Sequence, residues 1–322
     1  MADNLQQART SFGQDARGRP AAPDAARADN VRLGVGVILF TDLALSLGDA
    51  AIKALSADFV LWQIFVLRSV IAIPVLLAIF RLGFRGTPLL PRQLGWVALR
   101  SLMLTMMWVA YWAALPHLAL GIAAAVYYTL PIFITLLAAL FLGDRVGPLG
   151  WGAVFLGFAG VLLILKPDAG GFNFYALLPL AAAVLYALAM ILTRTKCRDE
   201  SPLVLSFSLN VSFIAVGLVA TLLIAGFGGD AQGASFLLGE WSPMGGQEWF
   251  SMTLLAAAAI IGSVGAAIAY QVAPPATIST FDFAYLGFSA LWGFLFFAEV
   301  LDAVSIGGML LIVVAGVLAL RR

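Results

Sequence analysis

Asp42, Asp49, Arg68, Arg100 and Asp282 stand inside long apolar runs of this sequence, where a charge is tolerated only beside a cavity or a partner. Two kinds of chemistry use such groups. One is intramembrane hydrolysis by a carboxyl pair; the other is a carrier site that holds a polar cargo or a proton. Hydrolysis needs two facing carboxyls, but Asp42 and Asp49 lie seven residues apart on one helix, about 10 Å along its axis. The local run Ser46-Leu47-Gly48-Asp49 also departs from a Gly-x-Gly-Asp context. The expectation is therefore a binding site and not an enzyme.

Asp49 and Lys53 have the i, i+4 spacing of a direct helical ion pair, and Arg68 reaches a depth like that of Asp49, where a structural pair is the plain alternative. Asp282 and Arg100 lie at similar depth at the opposite end and are expected to face each other. Asp42 has no basic residue at its own level, which assigns it to a cavity or to a proton. Proton carriage by Asp42 or Asp282 would couple transport to a proton gradient.

Trp108, Tyr111 and Trp112 share one helical face by their i, i+3, i+4 spacing, and Tyr127 and Tyr186 are too deep for an interfacial belt. Tyr270, Tyr285 and Trp292 add similar groups later in the chain. Trp112, Trp62, Trp96, Trp151 and Trp249 are near helix ends and read as interfacial anchors. The candidate binding set is Asp42, Asp49, Lys53, Trp108, Tyr111, Tyr127, Tyr186, Tyr270, Asp282 and Trp292. Asn210 and Gln271 are further polar groups within spans.

The elements that position these residues follow from composition. Of 322 residues, 62% are apolar and 11% charged, against about 45–50% and about 25% in soluble proteins. A soluble enzyme is excluded. The net charge of +1 gives no attraction for nucleic acid. One cysteine and one histidine leave no disulfide, thiolate cluster or multi-histidine metal site, and no cofactor is implied.

A span takes about 20 apolar residues. Ten runs qualify, near 33–53, 61–80, 93–114, 118–142, 147–165, 173–192, 203–226, 250–271, 276–297 and 303–320. An N-terminus on the cytoplasmic side gathers fourteen Lys and Arg residues there and leaves only Lys53 and Lys166 outside. That asymmetry sets the orientation, with both termini cytoplasmic. Residues 1–32 read as a disordered cytoplasmic tail, and the long connection 227–249 as an outer loop.

Residues 117–167 and 272–322 repeat one punctuation. An apolar helix ends in Asp144 or Glu299, and the next helix spaces its glycines eight apart, Gly152 with Gly160 and Gly308 with Gly316. The offset is 155 between the carboxylates and 156 between the glycines. Five spans per repeat, an odd number, invert the second copy. The expected fold is an all-α integral membrane protein of ten transmembrane helices in two inverted five-helix repeats, 33–167 and 168–322, around a central cavity.

With the segments TLPIF (129–133) and FLGDR (141–145) and the paired glycines, residues 33–322 resemble the EamA-type carriers of the drug/metabolite transporter superfamily. The resemblance implies a cavity lined mainly by spans 1, 3, 4, 6, 8 and 9, with spans 5 and 10 peripheral. It further implies an inner-membrane secondary transporter, self-sufficient as a monomer, that exports small metabolites. Bacterial exporters of aromatic and other neutral amino acids are the most similar group, with multidrug or lipophilic-cation export as the alternative. The second repeat departs from the first, with Phe-Ala-Glu for Leu-Gly-Asp and Leu286 or Gly287 at the place of Pro131. The two gates are thus not expected to be equivalent.

Overall fold

A computed structural model describes residues 30–83, 90–142, 147–165, 173–227, 236–273, 278 and 281–320. The expected tail lies almost wholly outside these residues, as do Asp144 and Lys166. Among the described residues all regular structure is helical. The helices are α1 (Val31–Leu55), α2 (Leu61–Gly83), α3 (Leu94–Ala114), α4 (Leu120–Tyr127), α5 (Leu130–Leu142), α6 (Pro148–Leu165), α7 (Leu177–Lys196), α8 (Pro202–Phe227), α9 (Gly246–Val272), α10 (Ala284–Phe297) and α11 (Ala303–Leu320). Among them, eight stretches are long and apolar enough to cross a membrane, with α4 and α5 counted together; α10 and α11 are shorter apolar helices.

The fourth run is not one continuous helix. Tyr128 and Thr129 form a turn, and Pro131 stands in the first turn of α5, where its missing N–H is no loss. Backbone bonds from Ile132 N and Phe133 N to the Thr129 carbonyl restart the helix. Pro74, by contrast, stays inside an unbroken α2. Of the long connection, residues 236–245 are strapped to the start of α2. Gln63 donates to the Ser242 carbonyl (2.8 Å) and accepts from its backbone N–H (2.9 Å), and Trp62 Nε1 donates to the Leu237 carbonyl (2.8 Å).

Helix packing comes in matched sets. α1 packs on α9 and α10, and α7 on α3, α4 and α5; α3 meets α8 as α9 meets α2. α2 packs on α8, α4 on α10, and α6 on α11. The last pair is close because the spaced glycines meet. A Cβ built on Gly160 would lie 2.7 Å from the Gly308 carbonyl oxygen, and one on Gly308 would lie 2.7 Å from that of Gly160. With no hydrophobic drive between helices in lipid, such close backbone approach is what holds them.

These contacts predict opposite effects for two glycines of α6. Gly160→Ala forces the helices apart and costs about 1–3 kcal/mol, whereas Gly152→Ala, with open space around it, is neutral or slightly stabilising. Thermal unfolding of the two variants in detergent checks the contrast.

Candidate functional site

A cavity of about 240 Å³ lies between α1, α2, α3, α8 and α9. Its ionisable wall is Asp49 on α1 and Arg68 on α2; Trp108, Trp112 and Phe213 supply aromatic faces, and Ser206, Asn210 and Ser263 supply polar ones. Helices α2 and α8, the second and seventh apolar runs, therefore border it, which the family resemblance did not imply. The volume falls just under the range of about 300–1,000 Å³ common for ligand pockets.

Asp49 is 4% exposed and fully engaged. Trp112 Nε1 donates to its Oδ1 (3.2 Å), and the Tyr285 hydroxyl donates to its Oδ2. Trp112 is 2% exposed and is thus no interfacial anchor. The sequence position near a helix end concealed this, because its neighbours Asp49, Phe65 and Arg68 come from other helices. The Tyr285 hydroxyl is also 3.3 Å from that of Tyr111.

From Asp49 an aromatic cluster runs through the middle of the bundle. Tyr111 packs on Tyr127 with centroids 5.0 Å apart, Tyr127 on Tyr186 at 6.1 Å, and Tyr128 stacks on Tyr285 at 5.2 Å. Five of the chain's seven tyrosines thus converge. The break between α4 and α5 places Tyr127 and Tyr128 there. Beyond the cluster, Asp42 is 1% exposed, its Oδ2 has no hydrogen-bond partner, and its acidic neighbour is Asp282. Asp42 finds an acidic partner across the halves of the chain, where no basic residue was available to it.

The expected local ion pair does not form. Lys53 Nζ points away from Asp49 and pairs with Glu299 Oε1 (2.5 Å), and it also donates to the Leu118 carbonyl. Glu299 Oε2 accepts from the Leu120 backbone N–H (2.7 Å), capping α4. Ala298 turns the chain back to allow this, at a left-handed φ of 52°. Such a conformation in a residue other than glycine is locally unfavourable and must be held by its surroundings. Lys53 therefore belongs to a knot at one end of the bundle, tying α1, α4 and α10, and not to the cavity.

The expected Arg100 contact with Asp282 is also absent. Arg100 Nε donates to Thr193 Oγ1 (3.1 Å) and Nη1 to the Leu205 carbonyl (3.4 Å), joining α3 to α7 and α8. Arg68 does not close on Asp49 to ion-pair distance. Its guanidinium carbon lies 5.0 Å from the Trp112 ring centre and 4.7 Å from that of Phe213.

Of the candidate set, Asp49 and Trp108 line the cavity; Tyr111, Tyr127 and Tyr186 form the adjoining cluster, and Asp42 and Asp282 its far end. Trp292 donates to Ser46 Oγ (3.1 Å), fastening α10 to α1. The Tyr270 side chain lies outside the described residues. Arg68, Trp112 and Phe213, with the polar Ser206, Asn210 and Ser263, are wall residues missing from the set. The depth of Arg68 signalled it, whereas a phenylalanine such as Phe213 is common anywhere in hydrocarbon and signals nothing. Among the described residues no cluster of three His, Cys, Asp or Glu side chains suits a metal ion.

Residues 32–166 match the model of the EamA-like transporter family. The pseudopaline exporter of Pseudomonas aeruginosa (strain UCBPP-PA14) is 26% identical over 288 residues, 89% of this chain and 95% of that protein. The riboflavin transporter of Vibrio cholerae serotype O1 is 30% identical over 235 residues, 71% of this chain and 72% of that protein. A solved crystal structure superposes with a TM-score of 0.59 at 22% identity, covering 88% of this chain and 96% of the other. That likeness concerns the fold alone.

The Lys53–Glu299 geometry yields a stability prediction. Lys53→Met leaves a carboxylate 16% exposed without its cation and costs about 3–5 kcal/mol. Adding Glu299→Gln, which keeps the acceptor for Leu120, recovers much of that loss. A double-mutant cycle of unfolding in detergent reads the coupling.

Proposed function

The chain belongs to the EamA-like transporter family and is a multi-pass membrane transporter, not an enzyme, and on that premise we propose that it exports small metabolites of the aromatic and neutral amino-acid class across the bacterial inner membrane by alternating access. The observation that carries this reading is the small cavity with one acidic, one basic and several aromatic walls. Its volume fits a cargo of amino-acid size better than a large one.

Two repeats, 33–167 and 168–322, form the moving halves in this reading, with ten spans, both termini cytoplasmic and the monomer as the working unit. The matched helix pairings support it, because exchanging α1, α2, α3, α4 with α5, and α6 for α7, α8, α9, α10 and α11 returns the main interhelical contacts. The broken α4–α5 supports it as well, since irregular backbone at mid-depth occurs where a carrier lines its site. Cargo sits near mid-height against Asp49 and Trp108, flanked by Tyr111, Tyr127 and Tyr186. Asp42 and Asp282 lie at the inner end and exchange a proton as the carrier cycles. Lys53 with Glu299 closes the outer end. The relatives named as exporters or transporters of pseudopaline and riboflavin support metabolite cargo in general.

Purified protein in liposomes preloaded with unlabelled phenylalanine is expected to take up labelled phenylalanine, tryptophan and methionine in mutual competition. Asp282→Asn and Tyr127→Ala should each lower that flux by about tenfold or more, the loss of one polar or stacking contact. Undiminished flux in both at equal abundance rejects these two as site residues. Uptake of a lipophilic cation alone replaces amino-acid export with drug export. An imposed pH gradient should change the rate in the wild type and not in Asp42→Asn; indifference of the wild type removes the proton from the cycle.

A further inference from the structure

We propose that Arg68 selects the cargo by its carboxylate group, so that the cavity takes compounds joining a carboxylate to a compact apolar or aromatic body. This deepens the transport reading above and rests on it.

Arg68 is only 6% exposed, yet its Nε has no hydrogen-bond partner. The carboxylate that would satisfy it, Asp49, is on the same cavity wall system but engaged elsewhere: both its oxygens accept, from Trp112 and from Tyr285. An arginine that served only to balance Asp49 would close on it, because a buried cation left without a directly bonded anion costs several kcal/mol. Instead the guanidinium lies against the Trp112 and Phe213 rings. Ring faces attract the cation but accept no hydrogen bond in its plane, so its donors on the cavity wall are left for a ligand. A carboxylate is the matching ligand, since its two oxygens meet the guanidinium fork in parallel.

The rest of the wall sets what the carboxylate is attached to. Leu45, Ile52, Ala72, Leu76 and Leu255 make most of the remaining surface apolar, and Trp108 offers a stacking face. Gly48 and Gly262 let α1 and α9 close on each other along this wall: a Cβ on Gly262 would run into the Leu45 side chain. An arginine beside an indole, set in an otherwise largely apolar wall, describes a small aromatic or branched acid, amino acids included.

Matched probes test this directly. The purified chain is unfolded thermally with 3-phenylpropionate against 3-phenylpropanamide, and with phenylalanine against phenylalaninamide, because a ligand that binds the folded state raises its stability. Each carboxylate should bind at least about tenfold more tightly than its amide, as expected for loss of a charge-assisted pair. Arg68→Gln should erase that preference while leaving amide binding in place, and Arg68→Lys should keep part of it. Equal binding of both members by the wild type overturns the proposal, as does the absence of any carboxylate-dependent stabilisation or an equal loss for both members in Arg68→Gln. The comparison within the wild type needs no variant to fold. Flux separates the two readings: carboxylate preference in binding with no flux of any compound sinks the carrier reading alone, and flux of a lipophilic cation without carboxylate preference sinks this one alone.

Discussion

A charged side chain at the depth of hydrocarbon has to be compensated by a partner, a proton or water, and that constraint fixes where every deep ionisable group of this chain stands. Glu299 takes Lys53, the Leu118–Leu120 backbone completes the knot, and Arg100 spends its donors on Thr193 and Leu205. Asp42 and Asp282 are neighbours of like kind, and Asp42 Oδ2 is left without a hydrogen-bond partner. What remains at the cavity is Asp49, satisfied by neutral donors, and Arg68, satisfied only by aromatic faces. Neutral donors and ring faces solvate a charge without cancelling it. A site built so keeps both charges available, which ordinary ion pairing would not.

The backbone obeys a related rule. Unbonded N–H and C=O groups are costly at this depth, so a helix is interrupted only where other groups receive its bonds or where a cavity is lined. The turn at Tyr128–Thr129 and the turn at Asp282–Phe283 before α10 are two such places. They stand at nearly equivalent positions of the two repeats at the offset of 155, one bearing a phenol at Tyr127 and the other a carboxyl at Asp282. The same structural opportunity thus carries different chemistry in each half, which is how an internally repeated chain acquires two unlike ends.

Helix positions were legible because a run of apolar residues is a local property. Burial was legible in part: ionisable groups counted to lie within spans, such as Asp42, Asp49 and Arg68, are 1%, 4% and 6% exposed. Partners were not legible. Lys53 has Asp49 one turn away on its own helix and still pairs with Glu299, 246 residues on, because the rotation of α1 against α10 decides the matter and no local spacing encodes it. Asp42 with Asp282 and Trp112 with Asp49 are likewise contacts between separate helices. The packing of α2 on α8 is another such contact; it brings Arg68 beside Phe213 and puts the second span on the cavity.

In the proposed cycle the Lys53–Glu299 knot would set where the cost of opening that end falls. While dry, with side chains 12% and 16% exposed, the pair is held by the price of leaving either charge alone, several kcal/mol. Once the α1 and α10 ends separate, water enters and each ion is hydrated; the same two charges then attract by no more than about 1 kcal/mol. The barrier therefore lies in the first separation, before water arrives, and vanishes after it. The left-handed Ala298 adds to this asymmetry, since its unfavourable backbone is maintained by the contacts Glu299 makes and relaxes when they are lost. A closure of this kind would suit the alternating access proposed above, since its resistance is concentrated in the first separation of the two helix ends.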